Sequence, residues 1–166
     1  ALPAQIMAGD FPLEVKRHFV EIYDFGTMMT PDGECAFVSM ALVRRASTLE
    51  DEMERAVRTQ TFPDEKKLLP LMRQFFTALA AAHEMGVLHR DIKGANVMIT
   101  DGIVKVVDFG MGANLDNPEA PIKTTISIFS PENFKGRHTV ASDIFQAGLM
   151  FYTYYTGYDP FKMPGY

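Results

Sequence analysis

The stretch His89–Gly110, HRDIKGANVMITDGIVKVVDFG, constrains the fold more than any other in this chain. It holds two short apolar runs, Val97–Ile99 and Ile103–Val107, separated by Asp101-Gly102. That dipeptide suits a tight turn between two strands. An aspartate stands on each side: Asp91 in a polar loop and Asp108 at the end of an apolar strand, with 16 residues between them. The letters DFG occur a second time at Asp24–Gly26, with no HRD upstream. That copy reads as the end of a strand before a turn, not as a site.

The rest of the chain is organised around this segment. Pro3 and Pro12 leave room for a helix only over about Ala4–Ala8. From Phe19, FVEIYDFG alternates and is rich in β-formers, so a strand followed by a turn is expected. Thr30–Glu34, TPDGE, reads as a hairpin turn and Cys35–Val43 as the returning strand. Thr48–Arg58 reads as a charged, exposed helix. Leu68, Met72, Phe75, Phe76 and Leu79 then share one helical face, Ala78–Ala82 favours helix, and Gly86 is placed to end it. Pro70 is the misfit in that pattern and marks either the start of the regular helix or a kink. A loop spans about Gly110–Ser130, Pro131 opens a short helix, and an apolar helix covers roughly Val140–Thr156 before Gly157. Strands, helices, a small hairpin and more helices make an α+β order.

At 166 residues the chain is one domain or part of one. A net charge of -5 and the lack of any Lys/Arg run exclude a nucleic-acid footprint. Cys35 is the only cysteine, which excludes a disulfide framework and a cysteine-based zinc site. The longest apolar stretch, Ile144–Tyr155, is too short to span a bilayer and holds Gln146, so a soluble, intracellular chain is expected. Ala1 opens the sequence without a methionine or a leader pattern, as a processed or trimmed end would.

Phosphoryl transfer accounts for the residue types in the opening stretch. A triphosphate brings charge that divalent cations must neutralise, and magnesium prefers one or two carboxylates plus phosphate and water. A hydroxyl acceptor needs a carboxylate to orient it and take its proton. Asp91 suits the proton acceptor, Lys93 the cation facing the transferred phosphate, and Asn96 and Asp108 the metal ligands.

HRDIKGAN and VVDFG resemble the catalytic loop and metal-binding turn of eukaryotic-type protein kinases, and the resemblance runs from about Phe19 to Phe161. It implies catalytic roles for Asp91 and Lys93, ATP and Mg2+ as cofactors, Asn96 and Asp108 as metal ligands, and His89 and Phe109 as packing residues. Ser130-Pro131-Glu132 resembles the Ala-Pro-Glu end of the activation segment, and Ser142-Asp143 the start of the helix that anchors the catalytic loop. The resemblance further implies a protein-kinase-like fold. Residues 1–43 would be a remnant of the small lobe with two antiparallel strands and the hinge. Residues 44–166 would be a large-lobe portion. Met40, Ala41, Val43 and Met98 would then join Asn96 and Asp108 in holding the nucleotide.

Lys93 and Thr125 go, in that family, with serine/threonine acceptors on a protein substrate. Arg90 resembles the arginine that in relatives pairs with a phosphorylated activation segment, so a phosphate on Thr124 or Thr125 would order that loop; the plainer reading makes Thr124, Thr125 and Ser127 ordinary loop residues. Gly94 stands where many relatives have proline. His18, His83 and His138 read as solvent-facing or packing residues. No glycine-rich loop and no strand lysine for the phosphates is found, and the partner glutamate would fall near Gln5 or Ile6. Two readings therefore stay open: part of an active serine/threonine kinase, or a kinase-fold subunit that binds within a larger protein complex.

Overall fold

The computed structural model describes residues 6–109 and 128–161. Thr124, Thr125 and Ser127 lie outside the described residues, as do Gln5 and Gly110. The described elements run α1 (Leu13–Lys16), β1 (Ile22–Thr30), β2 (Gly33–Met40), β3 (Ser47–Thr48), α2 (Leu49–Thr59), α3 (Glu65–Glu84), β4 (Val97–Thr100), β5 (Ile103–Val106) and α4 (Val140–Thr156). Helices and sheets thus mix in the α+β order read from the sequence.

Helix α3 is the central element. Its buried stripe of Leu68, Leu71, Phe75, Ala78, Leu79, Ala81 and Ala82 follows the 3.6-residue period. Asp64 caps its start by accepting from the Lys67 N–H at 2.9 Å. Pro70 neither starts nor ends the helix. It sits in the second turn, where the Lys66 carbonyl it leaves without an intrahelical donor is on the exposed face and open to water. Phe75 meets Phe151 of α4 edge-on with ring centroids 5.5 Å apart. Val97, Val104 and Val106 from β4 and β5 join the same core cluster, as do Phe19, Leu49 and Ile92. Each such side chain, removed from water, contributes about 1.5–3 kcal/mol.

Two sheets flank this core. One orders β3, β4 and β5, all antiparallel, with Asp101 and Gly102 at φ 49° and 75° turning between β4 and β5. Positive φ at both central residues matches the twist of a two-residue hairpin. Strand β3 was not anticipated, because two residues leading into a helix cap carry no alternation to read.

The other sheet is the β1–β2 hairpin, closed by Pro31-Asp32 between paired Thr30 and Gly33. The Asp24–Gly26 triplet does not end β1; the strand runs through it to Thr30. Gly26 lies opposite Phe37, and a Cβ there would come within 3.2 Å of that ring. The glycine serves a cross-strand fit and not a turn. The returning strand starts earlier and stops sooner than Cys35–Val43, ending at Met40.

The hairpin buries little: Tyr23, Phe25, Met28, Met29 and Val38 are all exposed. It joins the core through the segment before it. Phe19 bridges Val106 in parallel, the Val106 N–H donates to the His18 carbonyl at 2.9 Å, and the His18 ring bonds the Val104 carbonyl at 2.8 Å.

This distribution sets an expectation for substitutions. Phe75→Ala is expected to cost about 3–5 kcal/mol in urea unfolding, as large core truncations do. Phe25→Ala, at a site 58% exposed, should stay within ~0.5 kcal/mol. Equal costs would show that the hairpin belongs to the core after all.

Candidate active site

The site is built on a buried carboxylate. The first half of helix α4 is apolar except for Ser142, Asp143 and Gln146, and all three are buried. Asp143 and Gln146 are three residues apart and so share a face. That face meets the loop after α3. Asp143 Oδ2 accepts from the His89 backbone N–H at 2.9 Å and Oδ1 from the Arg90 N–H at 3.0 Å. Gln146 Oε1 accepts from the Ile92 N–H at 3.1 Å. Three of the four peptide N–H groups of His89–Ile92 are thereby held from one helix.

Two histidines complete the shell of Asp143. His83 Nε2 lies 2.8 Å from Oδ2, and His138 Nε2 lies 2.8 Å from Oδ1. Burial opposes the charge of this carboxylate, but the bonds from His138, His83 and the Arg90 and His89 amides outweigh it and hold Asp143 well below the usual carboxylate range. His138 is fully buried, and His83 is half-buried. Neither faces solvent, and both are more than packing. The sequence offered one signal that could have found them: an aspartate inside an apolar helix must be satisfied by donors from elsewhere.

Arg90 adopts φ 70°, a conformation uncommon for a residue with a long side chain. Such strain costs about 1–3 kcal/mol and persists where surrounding bonds over-determine it. Here the Arg90 N–H bond to Asp143 does so. The twist turns the chain so that Asp91, Lys93 and Asn96 come together. Lys93 Nζ lies 2.6 Å from Asp91 Oδ2, and Asn96 Nδ2 donates to the Asp91 carbonyl at 2.8 Å and to its Oδ2 at 3.3 Å. Asp91 and Asn96 are buried, while the Lys93 side chain is 39% exposed.

The 3-10 turn Gly94–Asn96 positions Asn96 at the start of β4. Its central constraint is Gly94, because a Cβ at that position would fall 2.8 Å from the Glu50 backbone nitrogen at the start of α2. The departure from proline therefore has a packing cause. Any side chain at Gly94 would push α2 off the loop.

Asp108 is reached through β5. The Val107 N–H donates to the Asn96 carbonyl at 3.0 Å, which sets the end of that strand beside the loop, and Asp108 follows, exposed, at φ 62°. His89 links the same two segments. Its Nε2 bonds the Val107 carbonyl at 3.1 Å, and its ring lies 4.6 Å from that of Phe109, which in turn meets Phe19 at 5.6 Å. His89 Nδ1 accepts from the Asp91 N–H at 3.4 Å, so the neutral Nε2–H form satisfies both contacts. Burial is the largest influence on His89 and lowers its pKa against the pull of Asp143 and the Val107 carbonyl.

The remaining candidates are spread out. Met40 ends β2 across from Ile22 and is exposed, and Ala41 N–H donates to the Glu21 carbonyl at 2.8 Å. Ala41 and Val43 line a cavity of ≈ 690 Å³ together with Phe19, Val20 and Lys105. Met40 and Met98 do not line it; Met98 lies half-buried on β4 between Thr48 and Lys105. Glu132, at the end of the Ser130-Pro131-Glu132 motif, accepts from the Ser142 hydroxyl at 2.6 Å.

Residues 15–165 match the protein kinase domain family. Over 152 residues the chain is 36% identical to the serine/threonine-protein kinase PknA of Corynebacterium glutamicum, covering 87% of this chain and 31% of that protein. It is 33% identical over 150 residues to PknB of Mycobacterium tuberculosis, covering 86% of this chain and 23% of that one. The chain thus spans about a third or less of these relatives. The fold is similar to that of the Cydia pomonella granulovirus kinase PK-1, with a TM-score of 0.76 at 19% identity, covering 95% of this chain and 56% of that one.

Two expectations follow from the geometry. Gly94→Ala should lower stability in urea by about 1–3 kcal/mol, the usual cost of overpacking. Stability should also fall on acidification. Burial lowers the pKa of His18 and of His89 in the folded chain. The unfolded chain then takes up protons first, so stability is full above about pH 6.5 and declines as pH drops through it. The depressed Asp143 adds a further loss once pH falls below about 4. The urea midpoint should therefore drop between pH 7.5 and 5.5, and less so in His18→Asn, which cannot take up a proton.

Proposed function

Because the chain belongs to the protein kinase domain family, we propose that it is the core of a serine/threonine kinase catalytic domain, transferring a phosphoryl group from ATP to a protein hydroxyl. In this reading residues 1–43 are small-lobe chain and residues 44–166 large-lobe chain. The observation that carries it is the convergence of Lys93 and Asn96 on Asp91, at 2.6 and 3.3 Å from one carboxylate oxygen, in a loop bonded to Asp143. A structural ion pair would not need an amide on the same oxygen.

The roles follow from chemistry. Asp91 orients the acceptor hydroxyl and receives its proton. Lys93 places a cation beside that carboxylate, where it would meet the charge of the transferred group. Asn96 turns its amide nitrogen to Asp91, which leaves its oxygen as the atom for a metal. With the Asp108 carboxylate this makes a hard-oxygen pair suited to magnesium. Mg-ATP, when bound, supplies the phosphoryl group and the neutralisation of its charge. Met40, Ala41, Val43 and Met98 are the proposed nucleotide contacts.

The acceptor is proposed to be serine or threonine on a protein, from Lys93 and from the names of the relatives. A binding subunit of the same fold is the second reading. It is supported by the exposed apolar side chains of the hairpin, which a partner could cover.

Mg-ATP should raise the melting temperature of the chain, and Asp108→Ala should abolish that rise. Asp91→Asn should keep the rise but slow transfer to a protein substrate by about 10²–10⁴-fold. No response to Mg-ATP, together with isolation as part of a stable complex, would instead favour the binding subunit.

A further inference from the structure

His138 is 0% exposed and makes two directional contacts that the roles above do not use. Nε2 lies 2.8 Å from Asp143 Oδ1, and Nδ1 lies 3.0 Å from Asn133 Nδ2. The orientation of Asn133 is fixed by its other bonds. Its Oδ1 accepts from the Ser130 N–H at 2.9 Å, and its Nδ2 donates to the Arg137 carbonyl at 2.8 Å. Turning the amide over would lose both. Nδ2 therefore presents a hydrogen to His138, whose Nδ1 must be the bare acceptor. The ring proton then sits on Nε2, aimed at Asp143.

The oxygen that receives this proton, Oδ1, is the one that holds the Arg90 N–H. Arg90 is also the strained residue of the loop, at φ 70°. A continuous set of bonds thus runs from the backbone of Ser130 through Asn133, His138 and Asp143 to the peptide group next to Asp91. We propose that His138 is a positioning residue that ties the Ser130–Arg137 segment to the Arg90–Asp91 backbone through Asp143. The proposal rests on the reading of Asp91 as proton acceptor. Without the His138 donor, Asp143 Oδ1 is short of one partner in a place water does not reach, and its hold on Arg90 weakens.

The test uses the full chain and two variants. His138→Phe keeps a ring but loses both contacts; His138→Gln keeps a side-chain donor. In the unmodified protein, nitrogen NMR of the imidazole should show the neutral Nε2–H form. In His138→Phe, amide hydrogen exchange at Arg90 and His89 should speed up by about tenfold beyond any change at Phe75 and Leu79 in α3. Phosphoryl transfer should lose about tenfold in kcat with KM for ATP unchanged, the pattern of a group acting only on the transition state. His138→Gln should recover most of both effects. An Nδ1–H ring, exchange at Arg90 that rises only in step with α3, or a glutamine no better than phenylalanine would each overturn the proposal. Should His138→Phe fail to fold, the ring form and the glutamine variant decide. A chain that transfers no phosphate at all would end the kinase reading, and the exchange and NMR results would still decide the role of His138.

Discussion

The Asp143 carboxylate is the interaction on which the rest of the site depends. A buried anion is costly unless every lone pair finds a donor. Asp143 finds four, two from ring nitrogens and two from consecutive peptide groups. Charge-assisted bonds of this kind are about twice as strong as neutral ones. The arrangement has a directional consequence. Asp143 of helix α4 takes its backbone donors from His89 and Arg90, and its bond to the Arg90 N–H helps to hold that residue at φ 70°.

Around that anchor the structure divides labour between rigid and open groups. His89, Asn96, Asp143 and Gln146 are buried and hydrogen-bonded. Lys93 and Asp108 reach solvent. A residue that must meet a charged ligand has to be accessible, and a residue that must hold a loop still has to be dry. The φ 62° at Asp108 fits the same pattern, since aspartate tolerates the left-handed region better than most residues. Two non-glycine residues with positive φ therefore bracket Asp91 in this loop system, one on each side of the β4–β5 hairpin.

Much of this could be read from the residues. The β4–β5 hairpin followed from Asp101-Gly102 between apolar runs, and α4 was expected over the same Val140–Thr156 range that it occupies. Helix α3 was visible in its apolar stripe. What could not be read depends on contacts between distant segments. The histidines at 83 and 138 look like surface or packing residues until the chain is folded around Asp143, 60 and 5 residues away. The glycine at 94 looks like a loosened proline until Glu50 is found against it. Asp24–Gly26 misled because a strand with one face open to water has no pattern that distinguishes its middle from its end. The bonds of Asp91, Lys93 and Asn96 were legible only as spacing; the 2.6 Å contact between an exposed lysine and a buried acid is a product of the loop's fold.

The energetics separate the two ends of the molecule. A two-stranded hairpin alone is marginally stable in water, and β1–β2 leaves Phe25, Met28 and Met29 uncovered. Its link to the core is narrow: the Phe19–Val106 bridge, the His18 ring on Val104, and the Lys105 ammonium on the Arg17 and Phe19 carbonyls. Lys105 makes these bonds against burial and the nearby Arg17 charge, which both lower its pKa. Asp91, Lys93 and Asn96 sit on the other side of that link, on elements fixed by α3 and α4. Asp91 is therefore held by elements packed into the core, while Met40 and Ala41 follow a hairpin that is not. A shift of the hairpin can then leave Asp91 where it stands, because the two share only that narrow link.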